Sequence, residues 1–150
     1  MSEEHRPALL HREQADTLRV RKRERKERIK MEKPKILCYG MKEVPSGLAA
    51  VAKKLGAVCR AVPEEEYGMP VAASAAGLPA MKKPEGSISE PFLVFVSFPE
   101  GALDLCLAAM RKNGVLPGVL KSVLTQYNAV WTPVRLCAEL CRERAMAVGR

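Results

Sequence analysis

Seven consecutive residues, Phe92-Leu93-Val94-Phe95-Val96-Ser97-Phe98, constrain this chain more than any other feature. A strand points its side chains alternately to two faces, and here both faces are apolar. Such a strand belongs in the middle of a sheet that is covered on both sides. Three further runs supply partners for it: Ile36-Leu37-Cys38-Tyr39 ended by Gly40, residues 57–62 closed by Pro63, and Leu120-Lys121-Ser122-Val123-Leu124.

Helical signals lie between these runs. Val44, Leu48, Val51 and Leu55 recur at spacings of four, three and four, with Pro45 at the start and Gly56 as the stop. Pro99 and Glu100 open a second helix, whose buried stripe is Leu103, Cys106, Leu107 and Met110 and whose end is Asn113-Gly114. Thr132 is an N-cap with Pro133 at the first helical position. The last helix then runs to about Met146, with Leu136, Cys137, Leu140 and Cys141 facing inward.

The order is β-α-β, a long connection, β-α-β, α. It predicts an α/β fold: a four-stranded sheet built from two βαβ halves, a ferredoxin-like sandwich with helices on one face and an extra C-terminal helix. A small parallel sheet is the rival arrangement. The connection over 63–91 carries Glu64-Glu65-Glu66 and a small-residue stretch at 71–77, and is expected to be mobile with one short helical turn. Residues 34–150 form one α/β domain on this reading. Residues 1–33 are a basic N-terminal extension, disordered or an isolated helix.

The net charge of +8 is unevenly placed: −2 over residues 1–18, +7 over 19–35 and +3 over 36–150. The folded part is only mildly basic, so the high pI does not argue for nucleic-acid binding by the whole chain. The basic segment holds Arg19, Arg21, Lys22, Arg23, Arg25, Lys26 and Arg28, with no apolar stripe and no aromatic residue. It is an arm that neutralises RNA or DNA phosphates, or it is a solvated tail. Met31-Glu32-Lys33-Pro34 also reads as an ordinary start leading into the first strand. No apolar run reaches the roughly 20 residues of a membrane span, and the first residues hold no signal-peptide core. The expected location is the cytoplasm.

Cys38, Cys59, Cys106, Cys137 and Cys141 form no C-x-x-C pair, and their odd number suits free thiols in a reducing compartment. Both histidines, His5 and His11, lie in the tail, so neither a four-ligand zinc site nor a Cys–His nucleophile is expected in the domain. No phosphate loop, dinucleotide fingerprint or nucleophile elbow is present. Glu64, Glu65 and Glu66 are adjacent in one loop rather than converging from separate elements. The chain is therefore read as no enzyme, and no cofactor or metal is expected.

Five segments together resemble a known family: Ile36-Leu37-Cys38-Tyr39-Gly40; Glu66-Tyr67-Gly68-Met69-Pro70 with Leu78 after it; Leu93-Val94-Phe95 ahead of Phe98; Lys121-Ser122-Val123-Leu124-Thr125; and Asn128-Ala129-Val130-Trp131-Thr132. Over about residues 35–145 the chain is similar to the bacterial domain-of-unknown-function 3783 family. It departs from the family pattern at Ser122 and at Gln126-Tyr127, where Pro-Thr is usual. Gly40-Met41 and Ser97-Phe98 each keep half of a Gly-Phe pair. The resemblance implies a small cytoplasmic bacterial domain and brings no established activity.

Thr125, Gln126, Tyr127, Asn128 and Trp131 gather polar and aromatic groups between a strand and a helix start, where small α/β domains place ligands. Lys121 and Tyr67 are candidates to join them. The competing reading is structural: Asn128 suits a turn, Thr132 a cap, and a lone Trp after a loop seals a core edge. Two functions follow. One is a binding or interaction module acting through 125–131 and the loop at 64–80. The other is an RNA-associated protein acting through residues 19–35. The partner is left open between a second copy, another protein and, through the arm alone, nucleic acid.

Overall fold

The computed structural model describes residues 33–148. The basic extension lies outside them up to Glu32, and with it every arm residue named above as a nucleic-acid contact. Residues 34–148 form one compact unit. Its elements are β1 (Lys35–Tyr39), α1 (Ser46–Lys54), β2 (Val58–Ala61), a 3-10 turn (Glu64–Glu66), α2 (Val71–Ala75), β3 (Phe92–Val96), α3 (Ala102–Lys112), β4 (Leu120–Val123) and α4 (Pro133–Val148). Four strands, two βαβ halves and a C-terminal helix are as the pattern predicts.

The strand order corrects the ferredoxin-like arrangement. The sheet runs β2-β1-β3-β4, with β1 parallel to β2, β3 parallel to β4, and β1 antiparallel to β3. A ferredoxin-like sheet splits each βαβ unit by inserting a strand between its two strands. Here each unit is unsplit. The 30 residues between Ala61 and Phe92 are the physical reason. A hairpin would place β3 beside β2, but a connection of this length, with a helix in it, crosses under the sheet and delivers β3 to the free side of β1. Within each half the rival parallel arrangement holds; between the halves it does not.

Helices cover both faces, not one. Ile36, Cys38, Leu93 and Phe95 pack with Leu48, Val51 and Ala52 of α1 and with Cys106 and Met110 of α3. Leu37, Tyr39, Phe92 and Val94 pack with Val71 and Ala75 of α2 and with Leu136, Cys137 and Leu140 of α4. Every residue of β3 is buried, as its two apolar faces demand. The edge strands β2 and β4 carry the polar residues Arg60, Lys121 and Ser122.

An approximate two-fold axis passes between β1 and β3, through the pair Leu37 and Val94. Gly40 and Ser97 follow β1 and β3 at equivalent places, and both adopt positive φ, 75° and 59°. Arg60 is the register partner of Leu37, and Ser122 of Val94. Six residues after each, a buried polar side chain reaches back: Glu66 to Arg60, and Asn128 to Ser122. The two loops also meet, since the amide of Val71 donates to the Trp131 carbonyl at 2.9 Å and that of Ala72 to the Ala129 carbonyl at 3.0 Å.

Candidate functional site

A cleft of about 640 Å³ opens at the carboxyl ends of β1 and β2. Open α/β sheets hold ligands at strand carboxyl ends, because the loops there are free to vary while the strands fix their roots. Gly40, Met41 and Lys42 form one wall; Pro63, Glu64 and Glu65 form the other; Gly86, Ser87 and Ile88 close it from the segment before β3. Tyr67 also lines it.

Local sequence explains the walls. Gly40 turns the chain away from β1 at positive φ, and a Cβ there would lie 3.0 Å from the Pro91 Cα. Its amide donates to the Tyr67 hydroxyl at 2.9 Å, which locks the turn to the opposite wall. Behind this bond the Tyr39 ring stacks on Phe92 with centroids 4.9 Å apart. Burial pushes the Tyr39 hydroxyl above the usual tyrosine range. Glu66 turns inward from the 3-10 turn and forms a bidentate ion pair with Arg60, which also donates to the Ser74 carbonyl at 3.1 Å. Lys42, Glu64 and Glu65 remain exposed at the rim and enter no ion pair among the described residues.

The seven residues singled out from the sequence fall in three places. Tyr67 lines the cleft. Lys121, at the other edge of the sheet, lines a second cavity and donates to the Val119 carbonyl at 3.2 Å. The remaining five belong to the loop after β4. There the Asn128 carbonyl oxygen accepts from the Thr125 amide at 2.8 Å, and its amide nitrogen donates to the Val123 carbonyl at 2.9 Å and the Ser122 hydroxyl at 3.3 Å. The Thr125 hydroxyl accepts from the amides of Tyr127 and Asn128. Trp131 is half-buried against the core, with the Arg135 guanidinium 4.3 Å from its ring centroid. Gln126 is exposed, and Tyr127 presents its ring to solvent at 73% exposure.

Asn128 therefore spends both ends of its amide on the turn. Asn128→Ala is expected to cost about 2 kcal/mol, because it leaves the Thr125 amide and the Val123 carbonyl without partners. Urea unfolding measures this; an unchanged midpoint contradicts the turn role. Sequence reasoning missed Gly40, Met41 and Lys42 as a wall. The signal for them was Gly40 at the end of a strand, followed by a polar stretch before α1.

The cysteines sit in packed surroundings. Burial pushes the Cys38 thiol up to about 12 and the Cys59 thiol to about 11, and raises Cys106 as well. Native protein treated with iodoacetamide at pH 8 is expected to leave Cys38 and Cys59 unmodified, whereas denatured protein takes up label on both. Peptide mass spectrometry reads the difference, and equal labelling in both states contradicts it. Cys137 and Cys141 share one helix face, with the Ser89 hydroxyl 3.7 Å and 4.0 Å from their sulfurs. Among the described residues no three His, Cys, Asp or Glu side chains converge as a metal site.

Fold and cleft define a small α/β domain with an open cleft at strand ends. Residues 91–146, which run from the start of β3 into α4, match the model of a domain of unknown function (DUF3783). The match covers the second half of the domain; the segments of resemblance at 36–40 and 66–78 lie outside it. No curated protein and no solved structure matches the chain. No helix among the described residues is long and apolar enough to cross a membrane.

Proposed function

We propose that the protein is a non-catalytic binding module of the cytoplasm, and that it takes up a small polar molecule in the cleft at the carboxyl ends of β1 and β2. The observation that carries this reading is the cleft of about 640 Å³, whose rim holds Lys42 facing a loop with Glu64 and Glu65. That volume is within the range of small-molecule sites. Charges of both signs at one rim suit a ligand that also carries both, such as an amino acid or short peptide. The five free cysteines support a reducing compartment.

The test is a titration of ¹⁵N-labelled protein with a mixture of free amino acids and dipeptides. Amide shifts confined to Gly40–Lys42 and Glu64–Glu65 support the reading. Shifts that are absent at millimolar ligand, or scattered over the whole surface, overturn it.

The charge of +7 over residues 19–35 favours a second reading, an RNA contact through the arm. Binding of a generic single-stranded RNA is then expected to fall steeply with salt and to vanish on deletion of residues 1–30. Full-length protein that fails to bind at low salt removes this reading.

A further inference from the structure

We propose that the cavity between the end of α3 and the start of β4 is a second binding site, for a soluble amphiphilic carboxylate with an apolar body and one anionic head. The cavity measures about 410 Å³ and is distinct in its lining from the cleft described above. Its walls are apolar: Met110 and Val115 are buried, and Leu107 and Leu116 are half-buried beside them. Its charged lining residues are Arg111 and Lys121, with no acidic side chain among them. Neither enters an ion pair among the described residues.

This charge pattern points to the ligand. Arg111 lies in the last turn of α3, where a cation complements the carbonyl end of the helix by itself. Lys121 comes from a different element, the edge strand β4, and lines the same cavity. Two cations from separate elements over an apolar floor are complementary to a carboxylate on a hydrocarbon tail. They disfavour a cation of the same shape, which makes the sign of the ligand's charge the decisive variable. Leu116 adds support. It holds a left-handed backbone at φ 45°, which a bulky side chain rarely adopts, and such strain clusters where a ligand surface has to be shaped. All of these residues fall inside the family-matched segment.

The experiment uses the full chain and three probes of equal length: decanoate, decanol and decyltrimethylammonium, followed by amide shifts and calorimetry. Decanoate is expected to bind with shifts confined to residues 107–121, while decyltrimethylammonium does not bind. Arg111→Gln and Lys121→Gln are each expected to weaken decanoate about tenfold, the loss of one charge-assisted contact. Both positions are exposed, so the variants stay folded, with at most a small loss in melting temperature from the helix end of Arg111 and the Val119 contact of Lys121. Leu107→Trp fills the cavity and is expected to abolish binding of all three probes. Equal affinity for decanoate and decyltrimethylammonium overturns the proposal. So do charge variants that bind decanoate as the wild type does, and shifts that fall at Gly40–Lys42 instead.

Discussion

Gly68→Ala is expected to destabilise the domain by about 3 kcal/mol, at the upper end of what overpacking costs. A Cβ placed on Gly68 would lie 2.5 Å from the Lys83 carbonyl oxygen and closer still to that of Lys82. These are backbone atoms, so no side chain can rotate away. Gly68 is buried, and its backbone runs directly beneath the second part of the long connection. The methyl group must therefore lift residues 82–83 off the domain or push the 3-10 turn out of place. Either movement disturbs Tyr67, whose hydroxyl holds the Gly40 amide across the cleft. The variant is expected to melt roughly 10 °C lower and to be cut by trypsin after Lys82 faster than the wild type. A melting point within 1 °C of the wild type, with unchanged trypsin cleavage, contradicts the close approach.

The same segment shows what was legible in the sequence. Three of the strands and three of the four helices follow from apolar periodicity, because each buries residues whose spacing the sequence displays; β2, none of whose residues is fully buried, follows from its apolar run ahead of Pro63. The central positions of β1 and β3 follow from their being apolar on both faces. The strand order does not, since either edge strand could flank either central one. What settles it is the length of the connection, together with α2, a five-residue helix of Val, Ala and Ser. Small residues of this kind carry little periodic signal, and α2 is held by tertiary bonds to the loop after β4, which no local pattern reveals. The candidate loop at 125–131 was visible as a polar and aromatic cluster. Its chemistry was not, because the same Asn and Thr serve a turn or a ligand equally well until their partners are known. The cleft was legible only in part. Its glycine and its tyrosine stand out, but they lie 27 residues apart and are joined only by the fold.

The Arg60–Glu66 pair is the other place where one substitution has a large effect. The Glu66 side chain is only 8% exposed, while that of Arg60 is 40% exposed. Replacing Arg60 with Leu leaves a buried carboxylate without its counter-ion and the Ser74 carbonyl without its donor. The expected loss is about 3 kcal/mol, the low end for a broken buried pair because Arg60 is partly in water. Glu66→Leu removes the charge that needed compensation, and Arg60, from its edge strand, turns back to solvent. Its expected loss is about 1 kcal/mol, mostly for the hydrogen bonds given up. The double variant Arg60→Leu/Glu66→Leu then separates two explanations. If the single-variant loss is the penalty of an unpaired buried charge, the double variant recovers most of it and lies within about 1 kcal/mol of the wild type. If the loss comes from packing of the arginine stem against the sheet, the two effects add and nothing is recovered. Urea unfolding of the four proteins decides between them, and additive losses would sink the charge argument. The equivalent pair in the second half, Ser122 and Asn128, is neutral. The approximate two-fold thus keeps the geometry of the tie between edge strand and loop while changing its chemistry, and only the half beside the polar cleft carries the ion pair.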